Sequence, residues 1–429
     1  MMSLAAIVLI ASVIIFALIG VPLVWSLVLA SVCSVAAGGT LNALPILAQR
    51  MFAGGLQYSM LAIFFFVLAG AIMQYGGLSR RLVAFANSLV GHISGGASLV
   101  CVMACAFFAA ISGSAVATTA AIGGIMYPEL KRLGYPEDYA AALPAAAGVL
   151  GVIIPPSVLF IIYGNITNVS PGKLLMAGIV PGVLGALFMC IICYILAKKR
   201  NYPKNEGFVL KDVWTTFKDA FWALLMPVII LGGICSGIFT PTESGVVAPG
   251  YGLVCAVFIY KEMTWDLFIR IIKESCRTTG NVMILCMAAG ALSYLLTIYQ
   301  IPATLSSFLI ANVANRYTFM LGVVVLLLFL GMFMDVGASI LILGPLLAPV
   351  AVAFGINPVQ FGVIFVFSMA IGQATPPFGT DLFVVCGFSG RNVMAVGKHS
   401  LLFCVALVAV ILLCIFIPQV ATALPGIMV

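Results

Sequence analysis

The chain has 429 residues, of which 64% are hydrophobic and 7% charged, against roughly 25% charged residues in an ordinary soluble domain. A water-soluble globule is excluded. The formal charge of +7 does not mark a nucleic-acid surface either, because the basic residues fall between apolar runs, where they orient a chain in a membrane.

At about 20 apolar residues per crossing, this length holds on the order of ten or more spans and leaves no separate soluble domain. In chain order the apolar runs are 4–19, 22–38, 56–76, 95–130, 139–165, 173–196, 221–238, 245–260, 280–299, 319–354, 358–388 and 399–418. All are expected to be helices. Only helices and closed barrels satisfy backbone polar groups in hydrocarbon, and these runs lack the period-2 alternation of a barrel. The first run has no positive n-region and no small-residue cleavage site, so it reads as a retained span. The twelve cysteines are scattered through apolar segments. Cys101/Cys105 and Cys190/Cys193 are close pairs without histidine at metal-ligand spacing, and they read as buried structural thiols.

Two runs are too long for one crossing and carry a small, polar patch at mid-length: Ser112-Gly113-Ser114 within 95–130, and Asp335-Val336-Gly337-Ala338-Ser339 within 319–354. Each reads as a re-entrant helical hairpin. Two others, 139–165 and 358–388, are interrupted by Pro155-Pro156 and Pro376-Pro377. Paired prolines remove two donors and push the preceding residue out of helix, so these read as broken helices.

An offset of 221 residues superposes Gly123 on Gly344, Pro128 on Pro349, Gly134 on Gly355, Gly151 on Gly372, Pro155 on Pro376 and Pro156 on Pro377. The chain is therefore expected to be an internal repeat: 1–200 as the first half, 201–220 as a cytoplasmic linker, and 221–429 as the second half. With Lys198, Lys199, Arg200, Lys204, Lys211 and Lys218 placed inside, counting crossings puts 16 of the 19 basic residues inside. Arg50, Lys173 and Arg316 remain outside. Both termini then lie outside, and the hairpins enter from opposite faces. The fold class is an all-α polytopic membrane protein with an inverted repeat, two re-entrant hairpins and two broken helices. Paired discontinuities around a pseudo-two-fold suit alternating access, which a channel does not need.

At such tips and breaks, carbonyls without intrahelical partners suit a cation, while half-helix N-termini suit an anion. At least two Na⁺ sites are expected. One would join Ser112 and Ser114 to Gly151, Ile154 and Pro156; the other would join Asp335, Gly337 and Ser339 to Gly372, Thr375 and Pro377. For substrate the candidates are Ser157, Asn165 and Thr167, with Thr118 and Thr119 opposite, and Gly379 and Thr380 in the second half. Asp381 is either a helix N-terminal carboxylate or a functional one. Asp335 lacks the Gly-x-Gly-Asp context of an intramembrane aspartyl protease. No phosphate loop, nucleophile, base or metal constellation points to an ATPase or an enzyme.

At these same residues the chain resembles the large membrane subunit, DctM- or SiaM-like, of tripartite ATP-independent periplasmic (TRAP) transporters. The resemblance spans the whole chain and is carried by AAISGSAVATTAAIG (109–123), GVIIPPS (151–157), GMFMD (331–335) and IGQATPPFGTDLF (371–383). It implies an elevator-type secondary active transporter in the bacterial inner membrane, with both termini periplasmic. It also implies two partners, a small four-helix membrane subunit and a periplasmic binding protein that delivers an organic acid. The family's Na⁺ ligands carry over to Ser112, Ser114, Gly151, Ile154 and Pro156, whereas Phe333 departs from the symmetry expected of Ser112. Overall likeness leans to sialic acid among acids that include C4-dicarboxylates. Segments 40–55 and 262–279 would be amphipathic arms along the two interfaces. The alternative reading is a stand-alone Na⁺/divalent-anion symporter that needs no binding protein.

Overall fold

The computed structural model describes residues 4–200, 202, 208–313 and 315–426; Lys204 of the basic linker lies outside them. Every regular element among the described residues is helical. Among the described residues, seven helices are long and apolar enough to cross a bilayer, and Glu137–Ile153 with Val158–Thr167 passes as one span bent by 46°. Apolar ridges such as Val183, Leu187, Ile191 and Ile195 on Pro171–Arg200 face outward, as a surface in contact with hydrocarbon requires.

The hairpins and breaks fall where polar or proline residues interrupt the apolar runs. The first hairpin is Gly96–Ser112 and Ala115–Arg132, turning at Gly113 with φ 64°. The second is Arg316–Gly331 and Val336–Ala353. Its turn is Met332-Phe333-Met334, so Gly337 and Ser339, expected in the tip, lie in the first turn of the descending helix. The physical reason is capping. Asp335 accepts from the Ala338 amide as Ser114 accepts from the Ala117 amide, so each N-cap starts the second arm. The broken helices part at Ile154–Ser157 and Ala374–Gly379, and both proline pairs are joined by cis peptide bonds.

Several elements coincide at the 221-residue offset. Ala115–Arg132 maps onto Val336–Ala353 residue for residue, and Gly134 and Gly355, both at positive φ, follow those arms. The pre-break helices are buried on every side: Tyr139–Gly148 without interruption in one half, 360–373 in the other. Each post-break helix packs on the other half's hairpin. Val158–Thr167 lies along Val336–Ala353, where a Cβ on Gly344 would meet Thr167 Cγ2 at 3.5 Å. Thr380–Ser389 lies along Ala115–Arg132, where a Cβ on Gly123 would meet Phe388 Cζ at 2.9 Å.

Three expectations change. Segment 262–279 is not a separate interfacial arm: 265–279 opens one continuous 34-residue helix, Trp265–Ile298, about 50 Å long. Its first-half counterpart does break, into Leu44–Gly55 and Leu61–Tyr75, because paired Gly54-Gly55 precedes the break while Gly280 and Gly290 stand singly inside the ladder. The expected linker is helical from Leu210, which begins the span Leu210–Cys235. Two helices carried no apolar run of spanning length: Leu78–Val90 and Ile301–Asn312, which lead into the two hairpins.

Four of the basic residues expected inside, Arg81, Lys131, Arg132 and Arg391, form ion pairs. Lys131 Nζ lies 2.9 Å from Glu137, Arg391 Nε lies 2.7 Å from Asp138, and Arg81 lies 2.8 Å from Glu262. Arg81 also stacks over Tyr260.

Candidate ion and substrate site

The first hairpin tip presents a tight knot of oxygens to the first break. Thr118 Oγ1 donates to the Ser114 carbonyl at 2.8 Å and lies 2.9 Å from Ser112 Oγ. Gly151, in the short helix Leu150–Ile153, abuts this knot: a Cβ there would collide with the Ser114 carbonyl oxygen and come within 2.5 Å of Thr118 Oγ1. Across the tip, a Cβ on Gly113 would sit 2.5 Å from the Pro156 carbonyl oxygen. Ser112, Ser114, Gly151 and Pro156 are thus brought together, with Thr118 in their midst. Ile154, between them in sequence, is packed against Gly182 of Pro171–Arg200. The assembled groups are hydroxyls and carbonyls without a formal charge, and this donor set suits an alkali cation better than a transition metal.

At the second break the same i,i+4 hydrogen bond recurs, from Ser339 Oγ to the Asp335 carbonyl at 3.0 Å. The close backbone approach is made by different residues. A Cβ on Gly372 would stand 2.5 Å from the Cα and carbonyl carbon of Gly331, and one on Gly331 would stand 2.6 Å from the Met369 carbonyl oxygen. Gly331 opens the GMFMD stretch but was not among the candidate ion ligands, because its counterpart at the 221 offset is Ala110. Thr375 Oγ1 donates back to the Ile371 carbonyl at 2.8 Å. Pro377 is half-buried after the cis bond, and Gly337 contacts Leu159 of the first half at a Cβ distance of 3.7 Å. The Asp335 side chain is exposed.

The substrate candidates divide. Ser157 caps Val158–Thr167 by accepting from the Phe160 amide, and it is fully buried. Asn165 accepts from Ser59 Oγ and leaves its Nδ2 without a partner. Thr167 donates to the Tyr163 carbonyl at 2.7 Å and lines a cleft of about 1160 Å³ shared with Asn168, Lys173, Ser293 and Gln300. Gly379 is the N-cap of Thr380–Ser389, seated against the Gln373 carbonyl, and Thr380 Oγ1 is buried without a partner. Thr118 belongs with the ion candidates. Thr119 lies outside the oxygen knot: its hydroxyl is 3.4 Å from the Pro144 carbonyl, against Gly148 of the pre-break helix. Gly70 was also not anticipated. It lets Leu61–Tyr75 touch the first tip, with a Cβ distance of 3.1 Å to the Ser112 carbonyl oxygen.

Residues 10–420 match the family model described as "Tripartite ATP-independent periplasmic transporter, DctM component". The chain is 40% identical to the C4-dicarboxylate TRAP transporter large permease protein DctM of Pseudomonas aeruginosa over 380 residues, 89% of each chain. It is 35% identical to the sialic acid TRAP transporter permease protein SiaT of Haemophilus influenzae, over 96% of this chain and 67% of that one. Its fold is like that of the YdaH transporter of Alcanivorax borkumensis, with a TM-score of 0.66 at 15% identity over 98% of both chains. Hairpin, break and family model cover the same residues, and the chain belongs to the DctM family of TRAP transporter large permeases, membrane transport proteins rather than enzymes.

Proposed function

We propose that the chain imports an organic acid across the bacterial inner membrane in symport with Na⁺. The supporting observation is the oxygen knot of the first half, in which the Ser114 carbonyl and the Thr118 hydroxyl meet Gly151 ahead of the proline break; in the second half the hydroxyl-to-N-cap-carbonyl bond recurs, while Gly372 meets Gly331 instead. Neutral oxygens at Ser112, Ser114, Thr118, Gly151 and Pro156 suit Na⁺. The N-termini of Val158–Thr167 and Thr380–Ser389 suit the acid's carboxylate. In this reading the hairpins and broken helices, interlocked through Gly123 and Gly344, move as one block against the helices around Leu61–Tyr75 and Trp265–Ile298, as in an elevator. The cleft beside Thr167 lies at the seam between block and frame.

The driving force is sufficient. Two Na⁺ moving with a monoanion through roughly 100 mV leave one net charge, about 2.3 kcal/mol. A tenfold Na⁺ gradient for two ions adds about 2.8 kcal/mol, and the sum of about 5 kcal/mol supports accumulation of a monoanion several thousandfold; a C4-dicarboxylate dianion cancels the charge of two Na⁺ and keeps only the gradient's share, roughly a hundredfold.

The acid reaches the chain from a periplasmic binding protein, and a small four-helix membrane subunit completes the assembly, with both termini of this chain periplasmic. The lean to sialic acid rested on overall likeness. The 40% identity to a C4-dicarboxylate permease makes C4-dicarboxylates the first acids to test.

The test is uptake into proteoliposomes holding the complete assembly, with C4-dicarboxylates and sialic acid in turn, in Na⁺ or in choline. Uptake that needs both the Na⁺ gradient and the binding protein is expected. Equal uptake in choline would remove Na⁺ coupling. Equal uptake by this chain alone would favour the stand-alone symporter.

A further inference from the structure

Behind the second break lies a carboxylate that the two oxygen knots do not use. Asp381 stands in the first turn of Thr380–Ser389, is 0% exposed, and neither of its oxygens has a hydrogen-bond partner. The neighbouring Thr380 Oγ1 is buried and equally without a partner. The helix N-cap is Gly379, which has no side chain to close the end. Among the described residues, the charged side chain acting on Asp381 is a second acid, Asp335.

The polar groups nearby are already committed. Ser400 Oγ donates to the Ala374 carbonyl at 2.6 Å, and Thr375 Oγ1 to that of Ile371. Cys404 Sγ lies 3.7 Å from Ser400 Oγ and 3.8 Å from Thr375 Oγ1. A carboxylate buried at membrane depth with no donor and no base is costly unless a proton or a cation accompanies it, and Asp381→Asn, the uncharged isostere, separates the two.

We infer that Asp381, with the Thr380 hydroxyl, holds a Na⁺ of its own beneath the second break, additional to the ions of the two oxygen knots. The inference rests on the Na⁺-symport reading. A single buried charge matches a monovalent ion, and no cluster of three or more acidic, histidine or cysteine side chains suited to a multivalent metal occurs among the described residues. Asp335, exposed and close enough to act on Asp381, adds a second negative charge that favours a cation there. The first half has no equivalent, because the position 221 residues earlier is the buried apolar Phe160.

The experiment is the Na⁺ titration of thermal stability for the purified assembly, with choline holding ionic strength constant. Asp381→Asn keeps the shape and removes the charge. It is expected to melt higher than the unaltered protein in choline and to lose that advantage in saturating Na⁺. The half-saturating Na⁺ should rise about tenfold or the steepness of the titration should fall by about one ion. Thr380→Val, which retains the carboxylate, should raise half-saturation several-fold, so the inference stays testable if Asp381→Asn does not fold. Ser114→Ala reports on the first knot separately. If Ser114→Ala alters the Na⁺ response while Asp381→Asn and Thr380→Val titrate like the unaltered protein, this inference falls and the symport reading stands. If the unaltered protein does not respond to Na⁺, both fall.

Discussion

At the first break the chain turns on Gly113, caps with Ser114, and surrounds the tip with hydroxyls and carbonyls. At the second it turns through Met332-Phe333-Met334, caps with Asp335, and buries Asp381 behind the break. The backbone plan is shared down to the N-cap amide and the i,i+4 hydroxyl bond. The charge is not shared. A neutral knot attracts a cation only through dipoles, whereas the second site adds full carboxylate charge. Two symmetry-related sites on one chain are thereby expected to differ in ion affinity.

The largest expected effect tests the feature the halves have in common, a glycine pressed against a hairpin. In Gly372→Ala the new methyl would meet Gly331 backbone atoms at 2.5 Å, and no side chain can rotate away. Overpacking of this kind costs about 1–3 kcal/mol. Uptake in proteoliposomes should fall at least ~10-fold, and Gly151→Ala should do the same. Gly232→Ala, with open space around it, should transport normally. Normal uptake by Gly372→Ala would mean that the close approach is not required for transport.

A middle-sized effect separates the two knots. Thr118→Val removes a donor to the Ser114 carbonyl and leaves Ser112 Oγ without its 2.9 Å partner, whereas Ser339→Ala removes one bond. At about 1 kcal/mol per hydrogen bond, Thr118→Val should raise half-saturating Na⁺ more than Ser339→Ala does. Equal shifts would argue that the halves contribute alike. The smallest effect is expected from Thr119→Val, whose hydroxyl makes one long contact to a pre-break carbonyl. Uptake should stay within about twofold, and a tenfold loss would return Thr119 to the substrate site.

Much of this plan was readable because proline pairs, a tripeptide of small polar residues and six gapless matches punctuate an otherwise apolar chain. What escaped did so for physical reasons. Leu78–Val90 buries Leu78, Leu82, Phe85 and Ala86 on one side and carries Arg80 and Arg81, an amphipathic pattern too short to register as a span. The second turn was misplaced by a few residues because the small residues at 336–339 serve close packing, not the bend. The unbroken course of Trp265–Ile298 depends on a ladder that isolated glycines, Gly280 and Gly290, do not interrupt. The isolation of Asp381 is a fact about its neighbours, and only the three-dimensional arrangement could expose it.

The crossed seating of the two post-break helices has one more consequence. Phe388 fills the groove at Gly123 and Thr167 the groove at Gly344, so a half-length polypeptide would present an empty groove and a helix with nowhere to dock. The smallest unit able to close its own interior is the complete duplicated chain, and a defect in either copy is handed directly to the other.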